Sequence, residues 1–209
     1  MLTPHLSMTP PSILTRSITF LLALGLSPLP SRPSAHGQET PVPTSVPKDL
    51  FVVPEGLEVT VWATTPMLHN PTNIDFDKDG RLWVAEGVNY RSHSKRQPEG
   101  DRIVVLEDTD GDGKADKEIV FADKLHLPIG FEFAPEGVYV SQEPNLVLLR
   151  DTDGDDKADV REIILGGFDS HDTHHAISAF TADPSGAMMM CEGVFLHTNV
   201  ETAYGPVRG

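Results

Sequence analysis

The stretch GFEFAPEGVYVSQE, residues 130–143, sets the plan for the rest of the chain. Two short apolar runs flank a Pro-Glu-Gly turn, which is a hairpin pattern, and the stretch ends on a glutamate. The same plan stands at 73–86, NIDFDKDGRLWVAE, and at 178–192, SAFTADPSGAMMMCE. The turn glycines Gly80, Gly137 and Gly186 each precede a glutamate (Glu86, Glu143 and Glu192) by six residues. The first two hairpins are followed by RIVVLEDTDGDGKADKEIVF and NLVLLRDTDGDDKADVREIIL, each of which adds two strands around an acidic turn.

Val104 and Val147 stand 43 residues apart, and Phe76 and Phe133 stand 57 apart; the surplus lies in an insertion, NYRSHSKRQPEG, at 89–100. The underlying period is therefore roughly 45 residues, and four-stranded units at that spacing signify a β-propeller. We predict an all-β fold: an incomplete propeller of about two and a half four-stranded blades from a six-bladed ring. The runs IVVL, LVLLR and EIVF are continuously apolar, as sheets covered on both faces require. LEVTVWAT, residues 57–64, reads as an outer strand closing the last blade. The chain accordingly reads as the N-terminal part of a longer protein, with residues 50–209 forming the partial propeller.

Residues 1–37 read as a secretory signal peptide: Arg16, the apolar run ITFLLALGL, then Ala35 and Gly37 at cleavage offsets. Residues 38–49 read as a Pro-rich linker. The expected location is secreted or periplasmic, with no membrane span in the mature chain, because the apolar run is too short. The formal charge is -15, which repels phosphate backbones and argues against nucleic acid as a partner. Cys191 is the only cysteine, so neither an internal disulfide nor a CxxCH haem attachment can form within these residues.

In the first acidic turn Asp108, Asp110, Asp112 and Asp116 occupy positions 1, 3, 5 and 9 of a calcium loop, with Gly113 at position 6. Asp151, Asp153, Asp155 and Asp159 repeat them in the second, where Asp156 replaces the glycine. Glu162 fills position 12 of the second loop, whereas Ile119 fills it in the first. Hard oxygen donors so closely spaced suit Ca²⁺; a solvated Asp/Gly hairpin is the plainer reading. Antiparallel succession puts both turns on one face of the propeller.

The opposite face gathers the histidines. His69 and His126 lie seven residues before Phe76 and Phe133, while His174 and His175 lie six and five before Phe180. These histidines should start the innermost strands and form, with Glu86, Glu143 and Glu192, a rim around the channel mouth. The cluster HDTHH at 171–175 suits a general base, with an imidazole oriented by a carboxylate such as Asp172.

The segment HAISAFTADPSGAMMMCEG resembles the inner-blade motif of soluble quinoprotein glucose and sorbosone dehydrogenases. More closely, EDTDGDGKADK, GFEFAPEGVYV and DTHHAI make residues 50–209 similar to the N-terminal propeller of the membrane-bound dehydrogenase family of Planctomycetes and Verrucomicrobia. The resemblance implies periplasmic oxidation of a sugar or other alcohol with pyrroloquinoline quinone (PQQ), His175 being the base with His174 and Asp172 beside it. It also implies an electron acceptor such as a c-type cytochrome, with haem c carried by a C-terminal domain outside these residues. The quinone-binding residues of the soluble enzymes lie mainly on later blades, so this propeller portion alone would be inactive. The rival expectation is a non-catalytic, calcium-stabilised propeller that binds a protein or glycan.

Overall fold

The computed structural model describes residues 50–90 and 97–209. The predicted signal peptide and linker, and Arg91, His93, Lys95 and Arg96 of the insertion, lie outside the described residues. The fold is all-β and built of four-stranded antiparallel units. The first sheet runs β1 (Pro71–Phe76), β2 (Leu82–Glu86), β3 (Asp101–Glu107) and β4 (Lys117–Leu125), in that spatial order. The second repeats the plan with β5 (Phe131–Ala134), β6 (Gly137–Gln142), β7 (Asn145–Arg150) and β8 (Val160–Gly166). A third unit begins as the hairpin β9 (Ser178–Ala182) and β10 (Met188–Cys191). A short pair, β11 (Asn199–Val200) and β12 (Val207–Arg208), follows. No helix among the described residues is long and apolar enough to cross a membrane.

Strand alternation sends Trp83, Ala85, Ile103 and Val105 to one face of the first sheet and Val84, Val104 and Leu106 to the other; both sets are buried. The first set packs on Phe131, Val138, Val140, Val147 and Leu149 of the second sheet. The Trp83 ring lies 4.5 Å from Phe121 and 5.2 Å from Phe133 in tilted and edge contacts. The far face of the second sheet, with Leu146, Tyr139 and Leu165, packs on Phe168, Ile177, Phe180, Met190 and Val200. Each such side chain is worth about 1.5–3 kcal/mol on full burial, so face-to-face stacking is what makes the units cohere. This is the stacking of adjacent propeller blades.

Residues 57–64 are not a strand, contrary to expectation. They nevertheless take an outer strand's place: the Trp62 carbonyl accepts from Ala115 of the first acidic turn at 2.8 Å, just as Phe121 of β4 accepts from Ala158 of the second. Trp62, Ala63, Met67 and Leu68 cover the first sheet's other face. Among the described residues the segment docks by these side chains and the Ala115–Trp62 backbone bond.

The registers correct the sequence alignment of the hairpins. Phe76 pairs with Leu82 and Phe133 with Val138, so the second turn is one residue shorter than the first. The counterpart of Glu86 is therefore Gln142, not Glu143: His69 N donates to Glu86 Oε1 and His126 N to Gln142 Oε1, both at 2.8 Å. In the third unit Ala182, not Phe180, faces the first residue beyond the turn, Met188. His175 lies seven residues before Ala182, which makes it the positional match of His69 and His126.

Candidate functional site

The connection from β8 to β9 carries the candidate cluster. Phe168 N donates to Pro144 O, and Asn199 N and Glu201 N donate to Gly167 and Gly166, which ties three segments together at one end of the second sheet. Gly167, at φ +95°, allows this approach, since a Cβ there would lie 2.2 Å from Asn199 O. Asp169 then accepts from His171 N and His197 N, both at 2.8 Å. Those two amides hold its carboxyl below the ordinary value. Asp169 escaped the sequence reading because its partners are backbone amides, one of them, His197, 28 residues along the chain.

A 3-10 turn, Thr173–His175, follows Asp172. Asp172, His174 and His175 come together, their ligand-type atoms all within 4.8 Å of one another. The carboxylate faces His174: Nδ1 lies 2.6 Å from Asp172 Oδ1, while His175 Nε2 is 4.0 Å from Oδ2. Of the two imidazoles, His174 is thus the one Asp172 orients. The two rings meet edge-on at 4.0 Å, and Phe195 lies 5.8 Å beyond His175. The Tyr90 hydroxyl, from the insertion, stands 3.0 Å from His174 Nδ1; a tyrosine 84 residues away gave no sequence signal. A Cβ on Gly193 would lie 2.4 Å from His175 Nδ1, so a glycine is needed there for the ring to seat.

The expected rim divides. Glu86 is fully buried and paired with Arg102, with Nε to Oε2 at 2.7 Å and Nη2 to Oε1 at 3.1 Å, so it is a structural ion pair and not a rim acid. His69 and His126 are fixed through their backbone amides, and neither joins the Asp172 cluster. Glu192 is half-buried and accepts from the Thr198 hydroxyl at 2.7 Å. Glu143 is 6 % exposed, and among the described residues neither of its carboxylate oxygens meets a donor. Burial and the charges of Asp169, Asp172 and Glu192 push its carboxyl up to about 8.

The acidic turns lie at the other ends of the strands, with the β1–β2 and β5–β6 turns. Asp108, Asp110 and Asp112 form one carboxylate group and Asp151, Asp153 and Asp155 another. Asp116 and Asp159 belong to neither; they accept from the Thr109 and Thr152 hydroxyls and close the loops. Glu162 pairs with Arg150 across β7 and β8, so neither loop has a position-12 acid. Asp156, at φ +64° where a glycine was expected, has its own use: its Oδ1 takes Arg81 Nη1 at 2.8 Å, fastening the first sheet's turn to the second sheet's loop.

With the geometry in hand, comparison with known families is decisive on one point. Residues 46–205 match the model of the Domain of unknown function (DUF7133). The chain belongs to that family. No curated protein and no solved structure matches it. The DUF7133 match spans all four-stranded units and the Asp172–His174–His175 cluster, so fold and cluster fall within one family domain.

Proposed function

We propose that this DUF7133 domain is the propeller portion of a periplasmic quinoprotein-type dehydrogenase, and that it accepts the proton from a sugar or alcohol hydroxyl. The observation that carries this reading is the 2.6 Å contact between Asp172 Oδ1 and His174 Nδ1. A carboxylate on Nδ1 holds the proton there and leaves Nε2 as the basic nitrogen. Oxidation of an alcohol removes a proton from oxygen and a hydride from carbon; His174, with the His175 ring edge-on against it, provides for the proton. PQQ carries three carboxylates, and at this junction the buried Glu143 already feels the charges of Asp169, Asp172 and Glu192. Taken alone these residues do not fit that cofactor, which on this reading the later blades would hold, and no step is drawn through it. At the opposite end the two aspartate groups offer hard oxygen donors that fit Ca²⁺, which would brace the third strand of each sheet against the fourth.

The test supplies the full-length protein, with the later blades that the reading implies, with Ca²⁺, PQQ, a panel of sugars and alcohols and an artificial electron acceptor. Turnover that falls at least about a hundredfold in both His174→Ala and Asp172→Asn supports the reading. Turnover that survives both sinks it. Calcium-dependent binding of a glycan or protein without turnover would support the non-catalytic rival.

A further inference from the structure

The loop that leaves β10 holds an exposed aromatic ring beside the histidines. Its start is pinned at Gly193, whose amide donates to His175 O at 2.7 Å and whose missing Cβ leaves room for the His175 ring. Its end is pinned by His197 N on Asp169 at 2.8 Å and by the buried Thr198, whose hydroxyl donates to Glu192 at 2.7 Å. Between these anchors stands Phe195, at φ +71°, in the left-handed region that a bulky side chain enters only under strain. Leu127 enters the same region at φ +44°, and there burial offsets the strain, since only 3 % of it is exposed. Phe195 has no such offset: 78 % of it is exposed, and its ring contact among the described residues is with His175, at 5.8 Å and edge-on. Strain held without burial points to a use outside the chain's own packing.

We propose that Phe195 is a substrate-binding residue, a platform for the C–H face of a ring-shaped alcohol. Such a face is apolar while the hydroxyls project around its edge, so an aromatic ring can bury it and leave the hydroxyls to hydrogen-bond elsewhere. The His175 ring lies next to Phe195, and the His174 ring meets His175 at 4.0 Å, so a molecule seated on Phe195 turns its edge towards the imidazoles. Asp169 and Glu192, which anchor the loop, disfavour an anion, and the ligand is a neutral polyol. An open-chain alcohol offers no such face, so Phe195 selects rings over chains. The inference rests on the proton-accepting reading of His174 for what becomes of the bound hydroxyl; the binding step does not require it.

The experiment measures equilibrium binding by isothermal titration calorimetry on the full-length protein, with no electron acceptor present. The probes are methyl β-D-xylopyranoside, methyl β-D-galactopyranoside and myo-inositol, set against the open-chain xylitol and galactitol. At least one ring should bind saturably and more tightly than either open chain. Phe195→Ala should weaken that binding about tenfold or more, whereas Phe195→Tyr should keep it. Phe195→Gly relieves the strained backbone, so it should lose the binding without lowering the melting temperature. His174→Ala should leave the binding in place, so this inference and the catalytic one fail separately. No saturable binding of any ring overturns the proposal. So does binding indifferent to Phe195→Ala, or a lowered melting temperature in Phe195→Gly, which would mark the ring as packed against another part of the protein.

Discussion

Asp172 holds His174 by Nδ1 at 2.6 Å and leaves His175, the next residue, 4.0 Å away. The two imidazoles are therefore not equivalent, although the chain presents them side by side. If His174 is the proton acceptor, His174→Ala should lower kcat by about two to four orders of magnitude. His175→Ala should cost less, and steady-state turnover of both variants makes the comparison.

Gly193 gives a second handle on the same cluster. Gly193→Ala would push a methyl group to 2.4 Å from His175 Nδ1, so the ring must move. The expected outcome is a folded protein with turnover reduced about tenfold or more, since small misplacements in a reacting constellation are costly. Circular dichroism alongside turnover separates this from loss of the fold.

The buried pair Glu86–Arg102 is a matter of stability. Arg102→Ala leaves a fully buried carboxylate unpaired and should destabilise by about 3–5 kcal/mol in urea unfolding. The double change Glu86→Gln and Arg102→Asn copies the neutral Gln142 and Asn145 found at the matching place in the second sheet. It should recover much of that loss.

Asp77 organises the β1–β2 turn, taking Arg81 Nε and Trp83 Nε1 on one oxygen and the Asp79 and Arg81 amides on the other. Desolvation raises its pKa, but these donors, Trp83 foremost, outweigh it and hold the carboxyl below the ordinary value. A depressed folded-state pKa means stability that is present above the unfolded value, near 3.8, and is lost as the pH falls below it. Asp77→Asn should therefore be less stable than the parent at pH 6, with the gap shrinking towards pH 2. Urea midpoints of both proteins across that range check the sign.

The acidic turns should respond to calcium as a pair. Chelation is expected to lower the melting temperature, with the effect halved by Asp110→Asn or Asp153→Asn alone and abolished by both together. A melting temperature indifferent to chelator would mark the turns as solvated hairpins, in keeping with their backbone bonds to Asp108 and Asp151.

Strand succession, the four-stranded unit and its repetition were legible in the residues alone, because β-branched runs and Gly/Asp turns act locally and recur with the unit. So were the acidic turns and the HDTHH cluster, whose Asp172, His174 and His175 the structure brings together. Only the tertiary structure decided which residues match between units, since a turn shortened by one residue shifts the register and makes Gln142, not Glu143, the partner of His126. It also decided that Asp172 serves His174, that Glu86 is sealed by Arg102, and that Glu143 is buried without a donor among the described residues. The physical reason is that register, charge pairing and burial depend on where groups stand in space, whether two residues apart like Asp172 and His174 or on separate strands like Glu86 and Arg102, which no local pattern encodes.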